Sequence, residues 1–252
     1  MQNQPSQRTA PIRSISEESY PLLRAISAAC TIYGVRYLLG SPTLHEITRQ
    51  DLMALLGALV TSPEAMSELG QRSYQHANGF WKVPLLDTVA GLRIRLHYWP
   101  GGLRAEENIH AHRWYMVSAI LLGCLESERF VACSSSSPRA DLLGCYRYSK
   151  DRNGIMGAEQ AFLGHQAVRC IGSDVRVVGD VYAMEPGQLH RITRQDERPT
   201  LTLMVQSAAV SRSNLMYTRD AVGEPEVASR PAGAHRLRCL FNEIQHVCKE
   251  VA

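Results

Sequence analysis

Two histidines one residue apart, His110 and His112, lie in the run Asn108-Ile109-His110-Ala111-His112-Arg113-Trp114-Tyr115-Met116, which continues as a mostly apolar stretch to Gly123. On an extended strand both imidazoles project from one face, because side chains alternate with a period of two. Trp114, Met116 and Ser118 share that face, and Ala111, Arg113, Tyr115 and Val117 share the other. A pair so placed is ready to hold a divalent metal, provided that a third ligand exists. His190 supplies one: the segment from Gly179 reads as a short strand that reaches a Pro186-Gly187 turn, and His190 follows directly. Three neutral imidazoles bind Fe(II), Ni(II), Cu(II) or Zn(II), and ligand softness does not choose among them.

These two segments resemble the paired motifs of the cupin superfamily. His110, His112, Met116 and Gly123 occupy the last four landmarks of the first motif, with Met116 where the family has Glu; Gly102 stands further ahead of His110 than the family's leading Gly. In the second motif Gly179, Gly187 and His190 keep the family spacing, Pro186 sits one place late behind Glu185, and Arg194 replaces Asn. The resemblance covers residues 90 to 210. It implies a mainly β fold, a cupin-type double-stranded β-helix (jelly-roll) barrel, with His110, His112 and His190 as metal ligands.

With Met116 in place of Glu, the resemblance implies a three-His facial set on a metal that keeps its full double charge and has open positions for substrate and dioxygen. This pattern is similar to that of cupin dioxygenases that use three His on non-haem iron, so the expected cofactor is Fe(II), with Zn, Ni or Cu as alternatives. The oxoglutarate-dependent pattern fits less well, since His112 stands where that pattern places a carboxylate. Two other classes stay open: a redox-inert metal cupin acting as isomerase, epimerase or hydrolase, and a non-catalytic cup that binds a small molecule. Glu106 or Glu107, in the loop before His110, offers an alternative carboxylate ligand, although solvent exposure is the expectation for both.

The elements that must position these residues follow from hydrophobic periodicity. Gly91–Trp99 alternates strictly, with Leu92, Ile94, Leu96 and Tyr98 on one face and Arg93, Arg95 and His97 on the other. The second face is either a solvated exterior or a source of one inward guanidinium. Arg95 is the nominee, because its planar fork would hold a substrate carboxylate by two hydrogen bonds. Pro199–Gln206 is a late strand with Thr200, Thr202, Met204 and Gln206 on one side. Trp114, Met116, Tyr182 and Gln206 complete the expected substrate contacts.

Ahead of the barrel, residues 17 to 75 read as helices: Leu22, Leu23, Ile26, Cys30, Tyr33 and Tyr37 recur at helical spacing, as do Leu52, Leu55, Leu56 and Leu59. Thr43 with Glu46 fits a capping box, and Ser62-Pro63 fits an N-cap with proline at the first position of a third helix. Near the C-terminus, Leu237, Leu240, Phe241, Ile244, Val247 and Cys248 form one stripe of an amphipathic helix that docks on the body or on a partner subunit. The expected organisation is a disordered tail at 1–15, a helical segment packed on the barrel at 16–78, the barrel at 79–215 with an insertion at about 126–172 that forms a hairpin or lid over the mouth, and a linker with the C-terminal helix at 216–252. Cys124, just past the His-x-His segment, is read as simple packing.

Composition excludes several classes. The 252 residues are 45% hydrophobic and 20% charged, an ordinary globular balance, and a net charge of +3 is too small and dispersed to argue for nucleic acid. The third helix carries Glu64, Glu68 and one cation, Arg72, which is poor equipment for a DNA groove. No run approaches the roughly 18 apolar residues of a membrane helix. An N-terminus without the apolar core of a signal peptide points to the cytoplasm, and seven cysteines without Cys-x-x-Cys fit reduced thiols there. The expected partners are a small-molecule substrate and dioxygen, and a second copy of the chain in a homodimer; nucleic acid and membrane are not expected.

Overall fold

A computed structural model of the chain describes residues 19–76, 78–102, 107–150, 156–193, 197–219 and 230–250. The expected tail at 1–15 and the positions of Glu106 and Arg194 lie outside them. The helical segment consists of α1 (Pro21–Tyr33), a tight 3-10 turn (Val35–Leu39), α2 (Pro42–His45), α3 (Arg49–Thr61) and α4 (Pro63–Arg72). Twelve strands follow: β1 (Tyr74–Gln75), β2 (Trp81–Asp87), β3 (Arg93–Trp99), β4 (Ile109–His110), β5 (Met116–Leu122), β6 (Cys124–Cys133), β7 (Asp141–Lys150), β8 (Met156–Val177), β9 (Val181–Met184), β10 (Leu189–Ile192), β11 (Thr200–Gln206) and β12 (Ser213–Thr218). The last element is α5 (Gly233–Glu250).

Local chemistry sets the helix starts. Ser62 caps α4 by accepting from Ala65 N at 3.1 Å, with Pro63 at the first position, as the sequence predicts. The capping box is not at Thr43 and Glu46. Ser41 caps the single-turn α2, and the box belongs to α3: Thr48 Oγ1 accepts from Asp51 N at 3.1 Å, and Asp51 accepts in return from Thr48 N at 2.9 Å. Thr48 wins because it directly precedes the stripe Leu52, Leu55, Leu56 and Leu59, all of which are buried. Tyr33 and Tyr37 are exposed and lie against each other at 4.5 Å rather than continuing the buried stripe of α1.

One antiparallel sheet has the strand order β1-β2-β3-β11-β5-β9; the other six strands close into a ring, β10-β4-β12-β7-β8-β6. The first sheet is two-faced. Leu92, Ile94, Leu96 and Tyr98 of the β3 hairpin, Val117 and Ala119 of β5, and Leu201, Leu203 and Val205 of β11 form one core with the α1, α3, α4 and α5 stripes. Each large side chain so buried contributes about 1.5–3 kcal/mol, and α5 is further tied down by Tyr98 Oη donating to Glu243 at 2.8 Å. The alternation of the strands then sends Arg95, Met116, Ser118, Tyr182, Met204 and Gln206 to the opposite face, toward the ring. The fold is thus mainly β, a two-sheet antiparallel barrel with helices packed on one side.

Of the range 126–172, expected as an insertion over the mouth, residues 126–133, 141–150 and 156–172 belong to β6, β7 and β8, which are wall strands of the ring. β8 pairs with β6 and with β7 along about ten residues each, so the backbone groups of these strands are satisfied within the ring. The His-x-His run is also not one continuous strand. It leaves β4 at His110, crosses through residues 111–115, which belong to no strand, and re-enters as β5 in the other sheet. A crossing of this kind links the two sheets at the site itself.

Candidate metal centre

β10 and β4 run antiparallel with His190 directly opposite His110, so the two imidazoles stand side by side on one face. The crossing segment brings His112 to them: Ala111 N donates to Leu215 O at 3.0 Å, and His112 O accepts from Gly187 N at 2.9 Å. That second bond ties the first motif to the Pro186-Gly187 turn, where Gly187 adopts φ +81°, a left-handed conformation that suits glycine. The potential ligand atoms of His110, His112 and His190 all lie within 4.8 Å of one another. Ring centroids are 5.1 Å apart for His110 and His112, 4.5 Å for His110 and His190, and 4.8 Å for His112 and His190.

Two of the rings are oriented by their own backbone. Nδ1 of His110 lies 2.9 Å from Asn108 O, and Nδ1 of His190 lies 3.2 Å from Gln188 O. A carbonyl only accepts, so each Nδ1 carries the proton and each Nε2 keeps its lone pair, which is the state that a metal ligand requires. Burial, and then the positive charge that neighbouring His110 would carry, push His190 down to about 3, while burial, His190 and His110 hold His112 well below its ordinary value. Both rings are therefore neutral at neutral pH. The donor set fits a divalent ion of borderline softness.

No carboxylate joins this group among the described residues. Glu107 is buried rather than solvated, and its Oε2 accepts from Ile192 N at 3.1 Å, so it braces β10 behind His190. Met116 packs with Met184 and Met204 in an apolar cluster against Trp114 and Tyr182.

The other expected site residues lie on the first sheet or in the crossing segment beside His112. Trp114 reaches His112 through the crossing segment instead of through strand alternation; its indole stacks on that ring at 5.3 Å and 15°. Arg95 is buried, with its guanidinium carbon 5.9 Å from the centre of the Trp114 ring. The open choice between a solvated and an inward Arg95 is thus decided by the helices, which occupy the other face of β3. Gln206 is buried next to Met116 in register, and Tyr182 lies opposite Ser118 with Arg176 4.3 Å above its ring. Burial raises the Tyr182 phenol above its ordinary value.

Several residues of the cup escape the sequence reading. His97 projects beside Arg95 and packs with Phe80 at 5.0 Å and Trp99 at 6.0 Å. His76 stacks on Phe80 at 4.7 Å. The strict alternation of β3 does place His97 on the face of Arg95, and that was the available signal; His76 and Phe80 carry none, since they precede the first long strand.

The deciding observation is that both motif segments converge: His-x-His from one, His after Pro-Gly from the other, at the interior of a two-sheet antiparallel barrel. The two segments thus meet as the cupin resemblance implies. No sequence family matches the chain, and no curated protein does. Solved structures similar to this chain include an RmlC-like cupin from Shewanella frigidimarina, 15% identical over 55% of this chain and 85% of its own with a TM-score of 0.30. A second is hydroquinone 1,2-dioxygenase PnpCD in complex with Cd2+ and 4-hydroxybenzonitrile, 11% identical over 50% and 63% with a TM-score of 0.30. A third is Drosophila melanogaster CENP-C bound to CAL1, 10% identical over 54% and 75% with a TM-score of 0.33.

Proposed function

We propose that this chain is a metal-dependent enzyme, a non-haem Fe(II) oxygenase that acts on a small organic substrate with dioxygen at the three-His site. The single observation that carries the reading is the convergence of His110, His112 and His190, two of them held by backbone carbonyls in the tautomer that frees Nε2. A bound ferrous ion would supply dioxygen activation and positions for substrate donor atoms. The chain's own residues do the rest. The imidazoles leave the ion's charge uncompensated, which favours an anionic ligand beside it. Arg95 supplies a second cation for a substrate carboxylate. Trp114 and the three methionines exclude water around the reacting groups, so that orientation rather than diffusion sets the encounter.

The test is elemental analysis of tag-free protein, repeated on His110→Ala and His190→Ala, with oxygen-electrode measurement of dioxygen uptake after Fe(II) loading. Stoichiometric iron in the parent, its loss from both variants and uptake that requires Fe(II) support the oxygenase. Metal content unchanged by either substitution removes these ligands from the site. Stoichiometric metal with no dioxygen uptake moves the assignment to a redox-inert enzyme or to a binding protein.

A further inference from the structure

The floor of the cup, on the first sheet, holds polar atoms that no protein group satisfies. Arg95 Nε and Nη1, His97 Nε2, Trp114 Nε1 and Gln206 Oε1 are all buried without a hydrogen-bond partner. Folded proteins pair the great majority of buried polar atoms, and each one left unpaired costs about 1–3 kcal/mol. Of the nine such side-chain atoms among the described residues, these five lie close to one another. Arg95 and His97 are two apart on β3 and share a face; Met204, opposite Arg95 in register, shares its face with Gln206 on β11. Trp114 lies against both Arg95 and His112.

The charges around Arg95 are equally one-sided. Asp87, which lies on the adjacent β2, is engaged by Arg93 at 2.8 Å and by Arg72. Among the described residues no carboxylate forms an ion pair with Arg95. Burial keeps the His97 ring neutral, so its Nε2 donates or accepts according to the tautomer. The floor therefore offers three donors, two of them on a cation, one acceptor, and two groups that can act as either, His97 Nε2 and Ser118 Oγ. Its complement is an anion with a hydrogen to give. The wall between floor and metal centre, Trp114 with Met116, Met184 and Met204, is apolar.

We propose that this floor is the recognition half of the substrate site, built for a small carboxylic acid that also carries a hydroxyl or amino group: Arg95, His97 and Trp114 hold the carboxylate and Gln206 Oε1 accepts the hydrogen. The inference deepens the proposed function, since it names the substrate class of the same site. It is separable from it, because the floor residues are not metal ligands.

The test uses the full chain stripped of metal, titrated by calorimetry with two matched sets: lactate, propanoate and lactamide, then 4-hydroxybenzoate, benzoate and 4-hydroxybenzamide. Within at least one set the hydroxy acid binds more tightly than the plain acid, and the neutral amide binds about tenfold more weakly or not at all. Arg95→Leu weakens both acids about tenfold or more, while its Tm is equal to or above that of the parent, because an uncompensated buried charge has been removed. A residue of purely structural value would lower the Tm. Gln206→Leu abolishes the preference for the hydroxy acid over the plain acid. Thr48→Ala, at the N-cap of α3 and outside the site, binds the acids as the parent does.

Absence of acid binding in both sets overturns the inference, as does undiminished binding by Arg95→Leu. Acid binding in a parent that holds no metal leaves the inference standing and removes the oxygenase. Metal without acid binding does the reverse.

Discussion

Met116 is the residue at which this chain departs from the motif that it otherwise follows. A carboxylate there would give the metal a negative ligand; a thioether gives it an apolar neighbour, in register with Met184 on one side and Gln206 on the other. Met116→Glu therefore has opposite effects on the two forms of the protein. In the metal-free state the new carboxyl is desolvated in the methionine cluster and costs about 2–4 kcal/mol. With Mn(II) or Fe(II) bound, the negative charge is compensated and the loss is largely recovered. Thermal melting with and without metal checks this: the metal-induced rise in Tm is larger in the variant than in the parent. An equal rise in both would place Met116 away from the ion.

At the level of elements, the site depends on one crossing and one turn. Residues 111–115 carry the chain from the ring to the first sheet, and Gly123 returns it after β5. Gly123 has φ +70°, and a Cβ there would come within 2.2 Å of Pro199 O, so both conformation and space require glycine. The helices contribute at a distance by covering the far face of β3, β11 and β5. Thr48→Ala removes the N-cap of α3 and its reciprocal bond to Asp51, and a cost of about 1 kcal/mol is expected in urea denaturation. Thr48→Ser, which keeps the oxygen, recovers most of it. Acid binding and metal content remain those of the parent, because the capped helix end touches none of the residues of the cup.

For the molecule as a whole, the concentration of basic groups in one interior makes stability depend on pH. Burial, followed by the charges of Lys82 and His110, pushes His76 down to about 4; burial, Lys82 and Arg95 hold His97 well below its ordinary value. Both are neutral in the fold, whereas in the unfolded chain they take up protons below about 6.5. Their contribution is thus complete above about pH 6.5 and is lost as the pH falls, the His76 share disappearing as its folded value near 4 is approached. Each group adds a slope of up to about 1.4 kcal/mol per pH unit in that window. Urea midpoints of the metal-free protein should fall from pH 7 to pH 4.5. His97→Phe, which suits the ring's neighbours Phe80 and Trp99, should flatten the fall. A midpoint independent of pH in the parent would show that these rings are solvated. No described helix is long and apolar enough to cross a membrane.

The amino-acid sequence alone carried the local information: alternation on Gly91–Trp99, the stripe from Leu237 to Cys248, the cap at Ser62, and two spaced histidine motifs whose resemblance implied both the barrel and the ligands. Periodicity reports which side chains share a face, and that is a property of neighbours in the chain. It does not report what lies against the face. That β4 and β5 belong to different sheets, that β6, β7 and β8 are wall rather than lid, and that Arg95 and His97 look into the cup are outcomes of long-range pairing and of where the helices settle. Tertiary structure decided them, because burial is set by contacts between segments far apart in the chain, and alternation alone does not say which elements will cover each face of a strand.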